Sequence, residues 1–242
     1  PKPSTAIGTL DDDGDEWLPG LFKTRTDLVA GNKMKVIGVV GGIASGKSFV
    51  TSHLKSFGAV VLDADRIGHE VLLTEPVKTA IRRQWGDDVF TSAGEVDRRR
   101  LAEIVFDPHQ PEQLQRLEEI THPLITEQLR AEIKRLGESG EVDYLVLDAP
   151  VMVKAGWHVF CDVIVFVDAS DQLRRERASA RGWTSGMFDN REAMQAAVDE
   201  KRRIATHVVD NNGSREQTIG QLNEIWERIT STAVPQARNE AD

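Results

Sequence analysis

Gly41-Gly42-Ile43-Ala44-Ser45-Gly46-Lys47-Ser48 matches G-x-x-x-x-G-K-[ST], the signature of a phosphate-binding loop. The flanks agree with the letters. Val36-Ile37-Gly38-Val39-Val40 before it is a short apolar run, as expected of a strand buried in a parallel sheet. After it, Phe49, Val50, His53, Leu54 and Phe57 recur at helical spacing, and Gly58 supplies a stop. In that order the N–H groups of the loop can wrap an anionic phosphate, and the helix dipole adds to the attraction. The expected nucleotide contacts run through Gly42, Ala44, Ser45, Gly46, Lys47, Ser48 and Phe49. Lys47 would reach the β- and γ-phosphates, and the Ser48 hydroxyl would hold Mg²⁺. A merely flexible glycine turn would leave the strand and the helix unexplained. The stretch implies a nucleoside triphosphate site on an α/β fold.

Outside this stretch, composition narrows the class. A chain of 242 residues that is 40% hydrophobic can bury a sizeable core, and its length suits one domain with an inserted lobe. The net charge of −9 argues against a general nucleic-acid binder. A single cysteine, Cys161, excludes a disulfide framework and agrees with a reducing cytosol. With no apolar run of membrane-spanning length and no signal-peptide pattern, the expectation is a cytoplasmic protein with neither membrane nor obligate protein partner. Residues 1–33 differ in kind. Asp11-Asp12-Asp13-Gly14-Asp15-Glu16 is an acidic run flanked by Pro3 and Pro19, so a disordered arm is expected, with Met34 opening the folded unit. A frayed tail is expected over residues 231–242.

Along the body, Ala59-Val60-Val61-Leu62 reads as a second strand running into Asp63-Ala64-Asp65-Arg66. Carboxylates past the carboxyl end of a parallel strand stand where ligands bind. One of the pair can assist Mg²⁺ and the other take a proton from an attacking hydroxyl; a single aspartate there can equally cap the helix expected from Arg66 to Leu73. Residues 66–136 show helical spacing and no strand-like run, as an inserted helical lobe would. Asp97-Arg98-Arg99-Arg100 offers Arg98 to an anionic acceptor, or simply starts a solvated helix. His122-Pro123 is placed at a helix head, where Pro is tolerated. Tyr144-Leu145-Val146-Leu147-Asp148 is a third strand ending in an acid, the Walker-B pattern, and Val163–Asp168 is a fourth. Arg174, Arg175, Arg177 and Arg181, followed by Gly182-Trp183-Thr184-Ser185-Gly186, suggest a lid over residues 172–200 that neutralises a transferring phosphoryl. A helix is expected from Asn190 to Ala205, a fifth strand at Val208-Val209, and a closing helix capped by Ser214.

From Met34 to about Thr230 these motifs resemble the dephospho-coenzyme A kinases. The resemblance rests on the phosphate loop, Asp63-Ala64-Asp65, Asp97-Arg98 with Leu101, His122-Pro123-Leu124-Ile125, Pro150, Gln172-Leu173 with Arg175, and Asp210-Asn211-Asn212-Gly213 in this order. It implies a five-stranded parallel sheet flanked by helices, and MgATP-dependent phosphorylation of the 3′-hydroxyl of dephospho-coenzyme A. It further implies Asp65 as the base at that hydroxyl, with Lys47 and Ser48 on ATP and Mg²⁺; of the aspartate pair, Asp63 is the nearer to the phosphate loop and the better placed to steady the metal. Arg175 or a neighbour would serve in the lid, the 66–136 helices would bind the acceptor, and His122-Pro123 would help shape its pocket. There are departures: Phe49 stands where the family usually has Thr, Lys154 where it has an acid, and the lid is about two residues longer.

Two rival readings are another small-molecule P-loop kinase, acting on a nucleotide or sugar, and a GTP-driven switch. Asp65-Arg66-Ile67-Gly68 satisfies D-x-x-G, but no guanine-reading Asn-Lys-x-Asp occurs, since Asn32-Lys33-Met34-Lys35 fails at its fourth position.

Overall fold

The computed structural model describes residues 33–107 and 109–231. The acidic arm up to residue 32 and the tail beyond residue 231 lie outside the described residues. The centre is a five-stranded parallel sheet built from β1 (Lys35–Gly41), β2 (Val60–Asp63), β3 (Tyr144–Asp148), β4 (Val163–Asp168) and β5 (His207–Asp210), in the order β2-β3-β1-β4-β5. β1 is apolar on both faces because both are covered. Val36 and Val40 point into one core, Ile37 and Val39 into the other, as a period of two requires.

Helices form the two outer layers. α1 (Lys47–Ser56) and the closing α9 (Arg215–Ser231) pack Val50, Leu54, Leu222, Ile225 and Ile229 on the face that carries Ile37 and Val39. The other face is covered by the chain between β2 and β3: α2 (Ala64–Val71), α3 (Glu75–Trp85), α4 (Arg98–Val105) and α5 (Pro111–Ser139). An isolated bridge, Phe90 to Val96, interrupts these helices, which the sequence reading had not provided for. After β4 come α6 (Asp171–Ser179), α7 (Ser185–Ala193) and α8 (Val198–Arg203). The single helix expected from Asn190 to Ala205 is therefore two helices, with Met194–Ala197 between them.

One expectation fails outright. Pro123 does not head a helix but lies inside α5, a 29-residue helix. A mid-helix proline removes one N–H and ordinarily costs about 3 kcal/mol. Here Ile125, Leu129 and Ile133 are buried in the core, and the hydroxyls of Thr121 and Thr126 donate to the carbonyls of Leu117 and His122 at 2.8 and 2.7 Å. Packing of the buried stripe outweighs the local preference. Among the described residues no helix is long and apolar enough to cross a membrane.

Candidate active site

β1 delivers its last residue to the carboxyl edge of the sheet between β3 and β4, the crevice where the strand order reverses. There the chain turns through Ala44, which holds a left-handed φ of 58°, and Gly46, at 103°, before α1 starts. Gly46 is the N-cap of α1 and no side chain caps that end, so the first N–H groups of the helix face the crevice without an internal acceptor. Ser45 is fully buried and its hydroxyl has no partner among the described residues. Lys47 Nζ turns back onto the carbonyls of Gly41 (3.1 Å) and Gly42 (2.9 Å). Burial pushes its ammonium down to about 8, against the opposing pull of Asp148. Uncapped N–H groups, an orphan hydroxyl and a desolvated cation together form an anion site. Ser48 is exposed at its mouth and Phe49 is half-buried beside it.

Three carboxylates line the neighbouring edge. Asp63 and Asp148 are register partners at the ends of β2 and β3, and Asp65 opens α2. Asp63 Oδ1 accepts from the N–H groups of Asp65 (2.9 Å) and Arg66 (3.1 Å), so this aspartate caps the helix as well as facing the crevice. Asp65 is exposed to the crevice, yet partial burial first and the Asp63 charge second raise its carboxyl pKa. Asp148 is raised for the same two reasons and lowered in part by Lys47. Among the described residues no cluster of His, Cys, Asp and Glu is able to hold a metal by itself.

Arg98 and His122 lie on different parts of the helical layer. Arg98, the first residue of α4, meets the His69 ring of α2 at 2.5 Å. His69 stands one helical turn after Asp65, so Asp65, His69 and Arg98 form one group. Half-buried His122 packs edge-on against Trp157 at 5.4 Å, and burial lowers its pKa. Lys154 ion-pairs with Glu118, one turn before His122, at 2.6 Å. An acid of α5 thus faces the lysine that stands where the family usually has an acid.

α6 sorts its arginines by periodicity. Arg174 and Arg177 are three residues apart and share the face of α6 turned to the loop. Arg174 Nη1 lies 3.4 Å from the Ile43 carbonyl, and Arg177 donates to the carbonyls of Ser45 (3.1 Å) and Asn211 (2.8 Å). Arg175, the expected lid residue, points elsewhere: it pairs with Asp171 (2.7 Å) and Asp189 (2.8 Å) and lies over the Phe188 ring. Two further residues reach the loop that the sequence reading gave no site role. Asn211, named there only within the Asp210-Asn211-Asn212-Gly213 motif, is buried and donates to the Ser45 carbonyl at 2.7 Å; its place just past β5 on the ligand-binding edge was a further signal. Lys201, 2% exposed, brings Nζ to 3.4 Å from the Gly41 carbonyl and 2.6 Å from Gln195; in Lys201-Arg202-Arg203 nothing sets it apart.

A doubly covered parallel sheet with a phosphate loop at its switch point, carboxylates opposite and the arginines of α6 against the loop has the fold of a P-loop kinase. The chain belongs to the dephospho-CoA kinase family, whose model matches residues 35–217. A dephospho-CoA kinase of Aquifex aeolicus is 34% identical over 198 residues, covering 81% of this chain and 98% of its own. Among solved structures, TT1252 from Thermus thermophilus has a TM-score of 0.68 at 30% identity, covering 82% of this chain and 99% of its own. A dephospho-CoA kinase from Campylobacter jejuni, at 20% identity and a TM-score of 0.60 over 80% and 96%, shares the fold.

Proposed function

We propose that the protein transfers the γ-phosphoryl group of ATP to the ribose 3′-hydroxyl of dephospho-CoA, yielding CoA and ADP, the last step of coenzyme A synthesis, in the cytoplasm. Family membership across residues 35–217 carries the choice of acceptor. The crevice supports the choice of donor, through the uncapped α1 terminus and the orphan Ser45 hydroxyl.

In this reading the phosphate chain of ATP lies along Gly42–Phe49, and Lys47 exchanges its two carbonyl partners for phosphate oxygens. Ser48 and Asp63 would hold Mg²⁺, which supplies charge neutralisation at the phosphates when bound. A ribose hydroxyl does not ionise at neutral pH, so its proton has to leave as the phosphoryl group arrives. Asp65 takes it. Its raised pKa makes it a better acceptor than an ordinary carboxylate, and its place at the start of α2 keeps it open to the crevice. Asp63, with one oxygen occupied by two N–H groups, is poorly placed for that task. The acceptor lobe, residues 66–136, would offer Arg98 to the anionic part of the acceptor and His122 to the wall of its pocket. Of the lid arginines, Arg174 and Arg177 are better placed than Arg175 to meet developing negative charge.

The deciding experiment is ADP formation with MgATP and a panel of acceptors, with mass analysis of the product. Dephospho-CoA as the preferred acceptor, giving CoA, is expected. Preference for a nucleoside or sugar would move the protein to another P-loop kinase activity.

A further inference from the structure

Glu192, near the end of α7, stands where the lid faces the phosphate loop. Both its carboxylate oxygens accept from Arg174 Nη1, one of them at 2.7 Å. Arg174 is 7% exposed, and a methyl group added at Gly42 would lie 2.5 Å from that same nitrogen. The guanidinium therefore rests on the second residue of the loop. Two more cations occupy the same ground, Lys47 on the Gly41 and Gly42 carbonyls and Lys201 near the Gly41 carbonyl. The negative charge of Glu192 acts on both, helping to keep each ammonium charged against burial. Asp171 also pairs with Arg174, but its side chain is 57% exposed against 25% for Glu192. Glu192 is thus the sheltered carboxylate among three cations that converge on Gly41-Gly42.

That is also where phosphate charge arrives if the protein uses ATP as proposed above, and this inference rests on that reading. We infer that Glu192 is a positioning residue, an internal counter-anion that holds Arg174 on the loop while the site is empty and yields the guanidinium to nucleotide phosphate. Arg174 is buried and the exposed Asp171 screens it only in part, so a second, more sheltered anion is favoured beside it in the empty protein. A side chain that is already one-quarter exposed can swing out to water when phosphate takes its place. ATP binding then includes the loss of the Glu192–Arg174 pair, and Glu192 weakens the apparent affinity.

Calorimetric titration of the full chain with MgATP tests this. Glu192→Gln should tighten the ATP Kd about fivefold, the size expected for removing one coupled charge pair. It should also lower Tm of the empty protein more than Tm of the ATP-saturated protein; a purely structural contact would lower both alike. In an Arg174→Gln background the gain in affinity should vanish. Should Glu192→Gln fail to fold, Glu192→Asp, whose carboxylate is withdrawn by one methylene, should still tighten binding by a smaller factor. Unchanged or weaker ATP binding in a cooperatively folding variant would overturn the inference while leaving the kinase reading intact. Absence of ATP binding by the unsubstituted protein would overturn both.

Discussion

Gly46 and Gly58 offer a controlled comparison at the phosphate loop. Their φ angles are nearly the same, 103° and 99°, so an L-residue suffers a similar backbone strain at either, about 1–2 kcal/mol. Their surroundings differ. A Cβ at Gly58 meets nothing within 4 Å, whereas one at Gly46 overlaps the amide nitrogen of Asn211. That nitrogen donates to the Ser45 carbonyl at 2.7 Å, and the Asn211 carbonyl accepts from Thr218 at 3.0 Å, in a residue 7% exposed. Displacing a buried hydrogen-bonded group costs about 1–3 kcal/mol. The lower half of that range applies, because Arg177 still reaches the Ser45 carbonyl and Thr218 also donates to Ser214. Gly58→Ala should then cost about 1–2 kcal/mol and Gly46→Ala about 2–4 kcal/mol. In a domain of this size each kcal/mol moves Tm by about 2–4 °C. Urea unfolding with a constant m-value would give the two free energies and thermal scans the two shifts. Asn211→Ala should lose about the difference between them, and combining it with Gly46→Ala should add less than its own cost. If Gly46→Ala were no worse than Gly58→Ala, the Asn211 amide would not be supporting the loop, and this reasoning would fall.

Lys47→Ala should keep the fold and lower turnover by several orders of magnitude, since it removes charge from the transferring phosphoryl group; near-normal turnover at normal Tm would place the ATP site elsewhere. Asp65→Asn should cut turnover about 10²–10⁴-fold with ATP affinity nearly unchanged, while Asp63→Asn should weaken the Mg²⁺ dependence and lose about 1 kcal/mol of stability with its helix cap; the reverse pattern would exchange the two roles. Lys154→Glu sets two acids against each other at Glu118, so Tm should fall and KM for dephospho-CoA should change more than KM for ATP, an outcome that equal effects on both would refute. Burial holds Lys201 down to about 8, so below that pH the folded protein bears the full cost of its charge. Stability should therefore rise between pH 8 and 10.5, as Lys201 and the similarly buried Lys47 shed protons that the unfolded chain keeps, by on the order of 1 kcal/mol per unit for each; Lys201→Met should remove the Lys201 share and leave the rise due to Lys47.

The sequence by itself determined the sheet and the donor site. Strand, glycine loop and helix follow one another within Lys35–Ser56, and the contacts that make a phosphate loop are backbone contacts between near neighbours. Local spacing therefore carries their whole meaning. β3 and β4 were legible for a related reason: a strand buried on both faces is a continuous apolar run, whatever lies beside it. Pro123 was misplaced because its helix is held by Ile125, Leu129 and Ile133 against a core gathered from distant segments. Only the tertiary structure decided which lid residues face the loop. Arg174, Arg175 and Arg177 are chemically alike, and their division follows from which face of α6 turns toward Gly42 and Ser45. Lys201 and Asn211 meet that loop from 160 and 166 residues away, and Glu192 reaches it through Arg174. A charge cluster assembled over such separations leaves no periodicity, because what brings its members together is the order of the strands and not their spacing along the chain.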